Sequence, residues 1–255
     1  MSAPRQRAAD GDLPVRLIRL ASVGSTNDYA RSLLRTESLP EWTVVAAREQ
    51  TAGRGQHGNS WTSSPGENLT CSVVLRPVFL RAPDQFRLAK AVCLALADAL
   101  GGYGIEATIK WPNDVYVESR KIAGILIQNT ISASRVNTAV VGIGLNVNQT
   151  EFPDFPVPPV SLRTLTSRVH HIEDVLAALL RHLRSRYDES RDNGAATDRA
   201  YLERLHRFGV WARYCVDGSR FSGRIVGVDA AGWLRVQGKD GEICTYRFKE
   251  IEYIS

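Results

Sequence analysis

Gly53-Arg54-Gly55-Gln56-His57-Gly58, continued by Asn59-Ser60-Trp61, separates two possible architectures for this chain. It satisfies G-x-G-x-x-G, so a dinucleotide-binding turn must be weighed. Such a turn opens a helix and is followed about 20 residues later by an acidic ribose ligand. Here the loop runs through Trp61 into a strand-like segment, Asn68 to Leu75, and Val78 stands near the acidic position. The doubly wound reading fails on that context. What remains is a hairpin loop without function or an anion-binding loop, whose glycines let backbone N–H groups approach a phosphate while Arg54 adds a guanidinium. An arginine left mobile between glycines gains little structurally, which favours the second reading.

Further along the chain, Lys110-Trp111-Pro112-Asn113-Asp114 ends a strand with a residue fixed in φ and then presents an amide and a carboxylate. A plain turn would also use Pro-Asn-Asp. The balance is tipped by Lys121, within Arg120-Lys121-Ile122-Ala123-Gly124, where the turn between two strands would bring a second ammonium group toward one pocket. Gly142-Ile143-Gly144-Leu145-Asn146-Val147-Asn148 adds a third strand end, with glycines that permit close backbone approach to a flat ring. Together these stretches point to phosphate-plus-metal chemistry.

The periodicities around them describe an α+β chain. Strands are expected at Val15 to Leu20, Trp42 to Ala47, Asn68 to Leu75, Ala107 to Trp111, Val115 to Val117, Ile122 to Asn129 and Thr138 to Val147. Ser25-Thr26-Asn27-Asp28 has the S-x-x-D form of a capping box, and helices are also expected at Asp84 to Leu100, Ile172 to Tyr187 and Asp198 to Arg207. Phe152 to Pro159 is proline-rich and reads as an extended surface loop. From Val210 onward the pattern changes to short strands broken by Asp217-Gly218, Ala231-Gly232 and Asp240-Gly241, the signals of a small β-barrel. The expected divisions are a tail at 1–14, a first domain at 15–207 and the barrel at 208–255.

The 255 residues are 44% hydrophobic and 23% charged with a net charge of +5, ordinary for a soluble globular protein. The arginines between Arg163 and Arg191 are interleaved with acids such as Glu173, Asp188 and Asp192, a solvated helix face rather than a nucleic-acid groove. Cys71, Cys93, Cys215 and Cys244 lie far apart without C-x-x-C spacing and read as buried free thiols. Adjacent His170 and His171 diverge, so no zinc bound by side chains is expected. Met1 to Pro14 carries no apolar targeting segment and no later run is long enough to span a bilayer, so a cytoplasmic protein with no membrane partner is expected. Whether it works alone or as a homodimer is left open.

Ser25-Thr26-Asn27, Gln50 through Trp61, Lys110 through Asp114, Arg120 through Gly124 and Gly142 through Asn148 follow one another in the order found in biotin protein ligases, which the chain resembles from about Val15 to Ser255. The resemblance implies a mixed-sheet catalytic domain similar to class II synthetases and a C-terminal SH3-like β-barrel. It implies formation of biotinyl-5′-AMP from biotin and ATP with Mg2+, then transfer of biotin to a lysine of the biotin carboxyl carrier domain of a carboxylase. Carried onto this chain, it assigns Ser25, Thr26, Asn27, Gln50, Arg54, Gly55, Gln56, Trp61 and Lys121 to biotin. It assigns Lys110, Trp111, Asn113, Asp114, Gly142, Gly144 and Asn146 to ATP or the adenylate, with Asp114 on the metal, and makes Lys121, Arg54 and Lys110 the catalytic cations. Relatives often carry arginines where this chain has Gln56 and Asn59, and the bifunctional ones have a DNA-binding domain ahead of the catalytic one, so a repressor role is not expected. A lipoate or octanoate protein ligase is the nearest rival; a fatty chain wants an apolar tunnel, whereas Ser25, Thr26, Asn27 and Gln50 suit a polar head.

Overall fold

A computed structural model describes residues 16–254; the expected N-terminal tail lies outside them. In chain order the elements are β1 (Leu17–Leu20), α1 (Thr26–Thr36), β2 (Thr43–Ala47), β3 (Leu69–Leu75), α2 (Phe86–Gly101), β4 (Thr108–Lys110), β5 (Asp114–Val117), β6 (Arg120–Ser132) and β7 (Arg135–Leu145). Then come α3 (Leu162–Thr166), α4 (Ile172–Asp192), α5 (Gly194–Glu203), β8 (Trp211–Val216), β9 (Ser219–Val228), β10 (Leu234–Gly238), β11 (Ile243–Tyr246) and β12 (Glu252–Tyr253).

Seven strands form a mixed sheet in the order β1-β2-β3-β7-β6-β5-β4, with β1 and β2 parallel and the other pairs antiparallel. Its inner strand β3 is buried throughout, which requires cover on both faces. Alternation delivers it: Leu69, Cys71, Val73 and Leu75 join the main core, while Val74 packs with Ala30, Leu39, Val45 and Val140 under α1. The stripe Val175, Leu176, Leu179, Leu183 and Tyr187 of α4 is the buried face predicted from its 3.6-residue period.

The last five strands form an antiparallel sheet in the order β11-β10-β9-β8-β12, consistent with a small SH3-like domain. Asp217 and Gly218 both take positive φ, 48° and 79°, as a two-residue hairpin turn requires. Tyr214, Ile225, Leu234, Val236 and Ile251 belong to the same core as the first sheet, so the two sheets share one interior. Trp111 pins the junction: its indole N–H donates to the Gly232 carbonyl at 2.8 Å, and its ring meets Phe248 edge-on.

Several expectations need correcting. Arg120 and Lys121 do not sit on the turn; they open β6, and the turn is Glu118-Ser119, with Glu118 at φ 57°. The last helix before the barrel begins earlier than Asp198 because Asn193 caps it, its side chain accepting from Ala196 N–H. Ser25 caps α1 as predicted, but Asp28 does not complete a capping box; its carboxylate pairs with Arg54 instead. Cys71 and Cys93 are buried, whereas Cys215 is half-buried and Cys244 exposed, since they lie on a small sheet that covers only one face.

One ion cluster ties three helical segments together. Asp98 of α2 accepts from Arg186 of α4 at 2.6 Å and from Arg204, just after α5, at 2.6 Å. Burial works to raise the Asp98 carboxyl, but the two guanidinium groups outweigh it and hold it below the ordinary value. A depressed carboxylate stabilises the fold fully above the unfolded value of about 3.9 and loses that contribution as pH falls through its lower folded value. Asp98→Asn should therefore lose roughly 1.5–3 kcal/mol in urea unfolding at pH 7, and the gap to the parent should narrow below about pH 4.

Candidate active site

Strand register, not sequence proximity, builds the site. Thr70 of β3 pairs with Gly144 of β7, Gly144 with Gly124 of β6, Gly124 with Asp114 of β5, and Asp114 with Lys110 of β4. One transverse row thus reads threonine, glycine, glycine, aspartate, lysine, on the sheet face that carries α1. The next row pairs Ser72 with Gly142 and Gly142 with Leu126. The glycines leave a notch in the sheet, and Trp61 lies in it: a Cβ built on Gly144 would fall 2.3 Å from the indole, and one on Gly124 3.3 Å. A Cβ on Gly142 would strike the Asn27 amide at 2.4 Å.

The first turn of α1 faces this floor and forms a polar cluster. Gln50 Oε1 accepts from both the backbone N–H and the hydroxyl of Thr26, at 2.8 and 2.9 Å. Ser72 Oγ lies 2.7 Å from Thr26 Oγ1 and 2.6 Å from Asn27 Oδ1. Asn27 is oriented by its Nδ2, which donates to the Leu126 carbonyl and to Gln128 Oε1. The hydroxyls of Thr26 and Ser72 hold two protons for three oxygen–oxygen contacts. This corner is therefore rich in acceptors and suits a ligand that brings N–H donors.

The charged side chains divide. Lys121 Nζ sits 2.8 Å from Asp114 Oδ1, both partly exposed to the cleft. Arg54 also lines the cleft, with Gly55, Gln56 and Asn59 beside it. Lys110 does not join them. As the last member of the transverse row it is one strand too far out, and its ammonium bonds Tyr116 Oη at 3.3 Å between the rings of Tyr116 and Tyr253. Burial lowers the Lys110 ammonium from its ordinary value; Asp114 opposes this, and Lys121 and Arg207 add to it. The expected single cluster of three cations is thus two cations in the cleft and one set behind it.

Trp111 and Asn146 are likewise outside the lining. Trp111 is buried at the junction between the sheets, and Asn146 donates to the Val160 carbonyl, holding the end of the proline-rich segment. Asn113 does line the cleft, with its Nδ2 committed to the Ile125 carbonyl at 2.6 Å. Sequence reasoning missed Ser72, Gln128 and Phe248, the last of which reaches the cleft from the turn between β11 and β12. Thr70 and Ser72, two apart in an otherwise apolar strand, were the available signal. The Cys71 side chain turns away from Thr70 and Ser72 into the main core, and burial pushes its thiol up to about 12, so it is no nucleophile for the cleft.

The notch makes a measurable demand. Gly144→Ala should cost roughly 1–3 kcal/mol in chemical unfolding, since the new methyl group overlaps the indole. In a Trp61→Ala background the same change should cost close to nothing, a coupling read from the double-mutant cycle.

The chain is similar to known proteins over most of its length. The model of the biotin/lipoate A/B protein ligase family matches residues 20–147, half of the chain. The sequence is 36% identical over 233 residues to a biotin--[acetyl-CoA-carboxylase] ligase of Paracoccus denitrificans, spanning 87% of this chain and 94% of that one. It is 30% identical over 225 residues to the bifunctional ligase/repressor BirA of Bacillus spizizenii, spanning 86% and 68%. A biotin protein ligase from Aquifex aeolicus, solved with biotin and ATP, superposes with a TM-score of 0.77 over 94% of this chain and 99% of that one; at 24% identity this likeness speaks for the fold. By the family match and the relatedness to the Paracoccus enzyme, the chain belongs to the biotin/lipoate A/B protein ligase family.

Proposed function

We propose that the chain is an ATP-dependent biotin protein ligase, which joins biotin to AMP and then passes it to a lysine of the biotin carboxyl carrier domain of a carboxylase. The observation that carries this reading is the cleft's pairing of an acceptor-rich polar corner with the fixed Lys121 ammonium beyond a side-chain-free floor. A cyclic urea brings two N–H donors to such a corner, whereas the fatty chain of lipoate or octanoate would leave its oxygens unmatched.

In the first step a carboxylate oxygen of biotin attacks the α-phosphorus of ATP, a new O–P bond forms, and the bond to the β-phosphate oxygen breaks to release pyrophosphate. In the second, the carrier lysine amine attacks the acyl carbon, AMP departs with its oxygen, and the amine gives up a proton to solvent. Neither step needs an enzyme nucleophile; the demand is to position two anions that repel each other and to neutralise charge at phosphorus. Lys121 meets that demand, held in place by Asp114 and by its location on a strand. Arg54 and the glycine loop would close over biotin, with Trp61 on the floor beside it. Asn113 and the Gly142–Gly144 segment would border the adenylate, and Lys110 and Trp111 would act from behind by holding the strand end. Magnesium is commonly held by one or two carboxylates plus substrate phosphates. Asp114 offers one carboxylate at the cleft, and no group of three metal-binding side chains occurs among the described residues. That donor set fits an ion carried mainly by the phosphates, where it would offset their charge.

In this reading residues 15–207 carry the chemistry and 208–255 complete the cleft through Phe248. No helix among the described residues is long and apolar enough to cross a membrane, and a cytoplasmic setting follows from the substrates proposed.

Purified protein with biotin and Mg-ATP should release pyrophosphate without a carrier and yield biotinylated carrier when an apo carrier domain is added. Lys121→Ala should slow the pyrophosphate step by about 10²–10³-fold, the scale of losing one fixed charge at a developing anion. A parent protein that adenylates lipoate but not biotin would overturn the reading.

A further inference from the structure

Arg54 is the one charged residue between Gly53 and Ser60, because positions 56 and 59 are glutamine and asparagine. Its Nε lies 3.2 Å from Asp28 Oδ2, with the two side chains 57% and 39% exposed. Asp28 belongs to the same helical turn as Ser25, Thr26 and Asn27, and its own N–H is already satisfied by Ser25. Upstream, the backbone zips this turn to the segment that leads into the loop: Val23 N–H donates to Glu49, Thr51 N–H to Val23 and Ala52 N–H to Gly24. Past Ala52 the zipper ends. The loop then relies on its internal bonds, Gly55 N–H to Asn59 and Trp61 N–H to Gly53, and on Trp61 seated in the glycine notch at its far end; these set its shape and its return to the sheet but do not tie the tip that carries Arg54 to α1.

We infer that Asp28 is a positioning residue that holds the glycine loop against the cleft through Arg54, so that retention of the bound carboxylic acid depends on ionic strength. The tie is electrostatic and partly exposed, so added salt weakens it, whereas the hydrogen bonds of the polar corner are insensitive to salt. A loop with one guanidinium anchored on a helix differs physically from one with several free arginines: its charge is spent on closure before any ligand arrives. This inference rests on the reading of the cleft as a biotin site.

The test compares the parent with Asp28→Asn, which keeps shape and removes charge, and with Asp28→Glu, which keeps charge. Without ligand, trypsin should cut after Arg54 about two- to five-fold faster in Asp28→Asn at low salt, the range for exposed ion pairs, with the difference gone near 1 M salt and Asp28→Glu close to the parent. The KM for biotin in pyrophosphate release should rise by the same factor with kcat unchanged, and this shift should vanish in an Arg54→Ala background. Equal cleavage of parent and Asp28→Asn at every salt concentration overturns the inference, as does a KM shift that persists without Arg54. If titration shows that the parent does not bind biotin, the functional reading fails, while the cleavage comparison still decides the role of Asp28.

Discussion

Two strands of the large sheet surrender their side chains at directly paired positions, and the rest of the site depends on that absence. With Gly124 and Gly144 side by side, the sheet has a trough about two strand spacings wide, roughly 10 Å, bordered by Thr70 on one side and Asp114 on the other. The trough admits the Trp61 indole, and through Trp61 it fixes where the glycine loop returns to the sheet. It also separates the polar corner under α1 from the Asp114–Lys121 pair, with Thr70 and Ser72 on one side and the carboxylate on the other. Filling either glycine would move the indole, the loop and the distance between the two polar regions together.

Charge in the cleft is arranged before any ligand arrives. Each cation that borders it has an internal carboxylate partner, Asp114 for Lys121 and Asp28 for Arg54. Such partly exposed pairs contribute little to stability, so their value lies in restricting where the cations can be. A preplaced ammonium avoids the cost of orienting it during reaction, which is how fixed charge outperforms mobile charge around a developing anion. Lys110 follows another logic. Enclosed by Tyr116 and Tyr253, it joins the edge of the large sheet to the last strand of the small one. With the Trp111–Gly232 bond it makes the junction part of the site's support, and the shared core explains why Phe248 can be held at the cleft from so far along the chain.

Much of the fold was legible in the sequence because its signals are local. The apolar, β-branched run Leu69 to Leu75, the 3.6-residue stripe in α4, the Ser25 cap and the Asp-Gly turns each depend on neighbours within a few residues. The same locality explains the misplacements. Arg120 and Lys121 resemble turn residues, yet a left-handed Glu118 lets the turn close one step earlier and puts Lys121 on the rigid strand. Asn193 caps α5 in a stretch whose composition resembles a loop.

For the site, residue types and spacing named the chemistries on offer: a glycine loop with one guanidinium, an amide and carboxylate after a strand, a second lysine, and no nucleophile poised for use. Which of these meet was set by the folded arrangement of the strands. Thr26 and Ser72 are 46 residues apart and Asn27 and Gln128 101 apart, and their contact depends on register across strands that no local pattern encodes. Register also separated the two lysines of the motifs. Because neighbouring strands stand about 4.8 Å apart, one further strand was enough to take Lys110 out of the cleft and leave Lys121 in it.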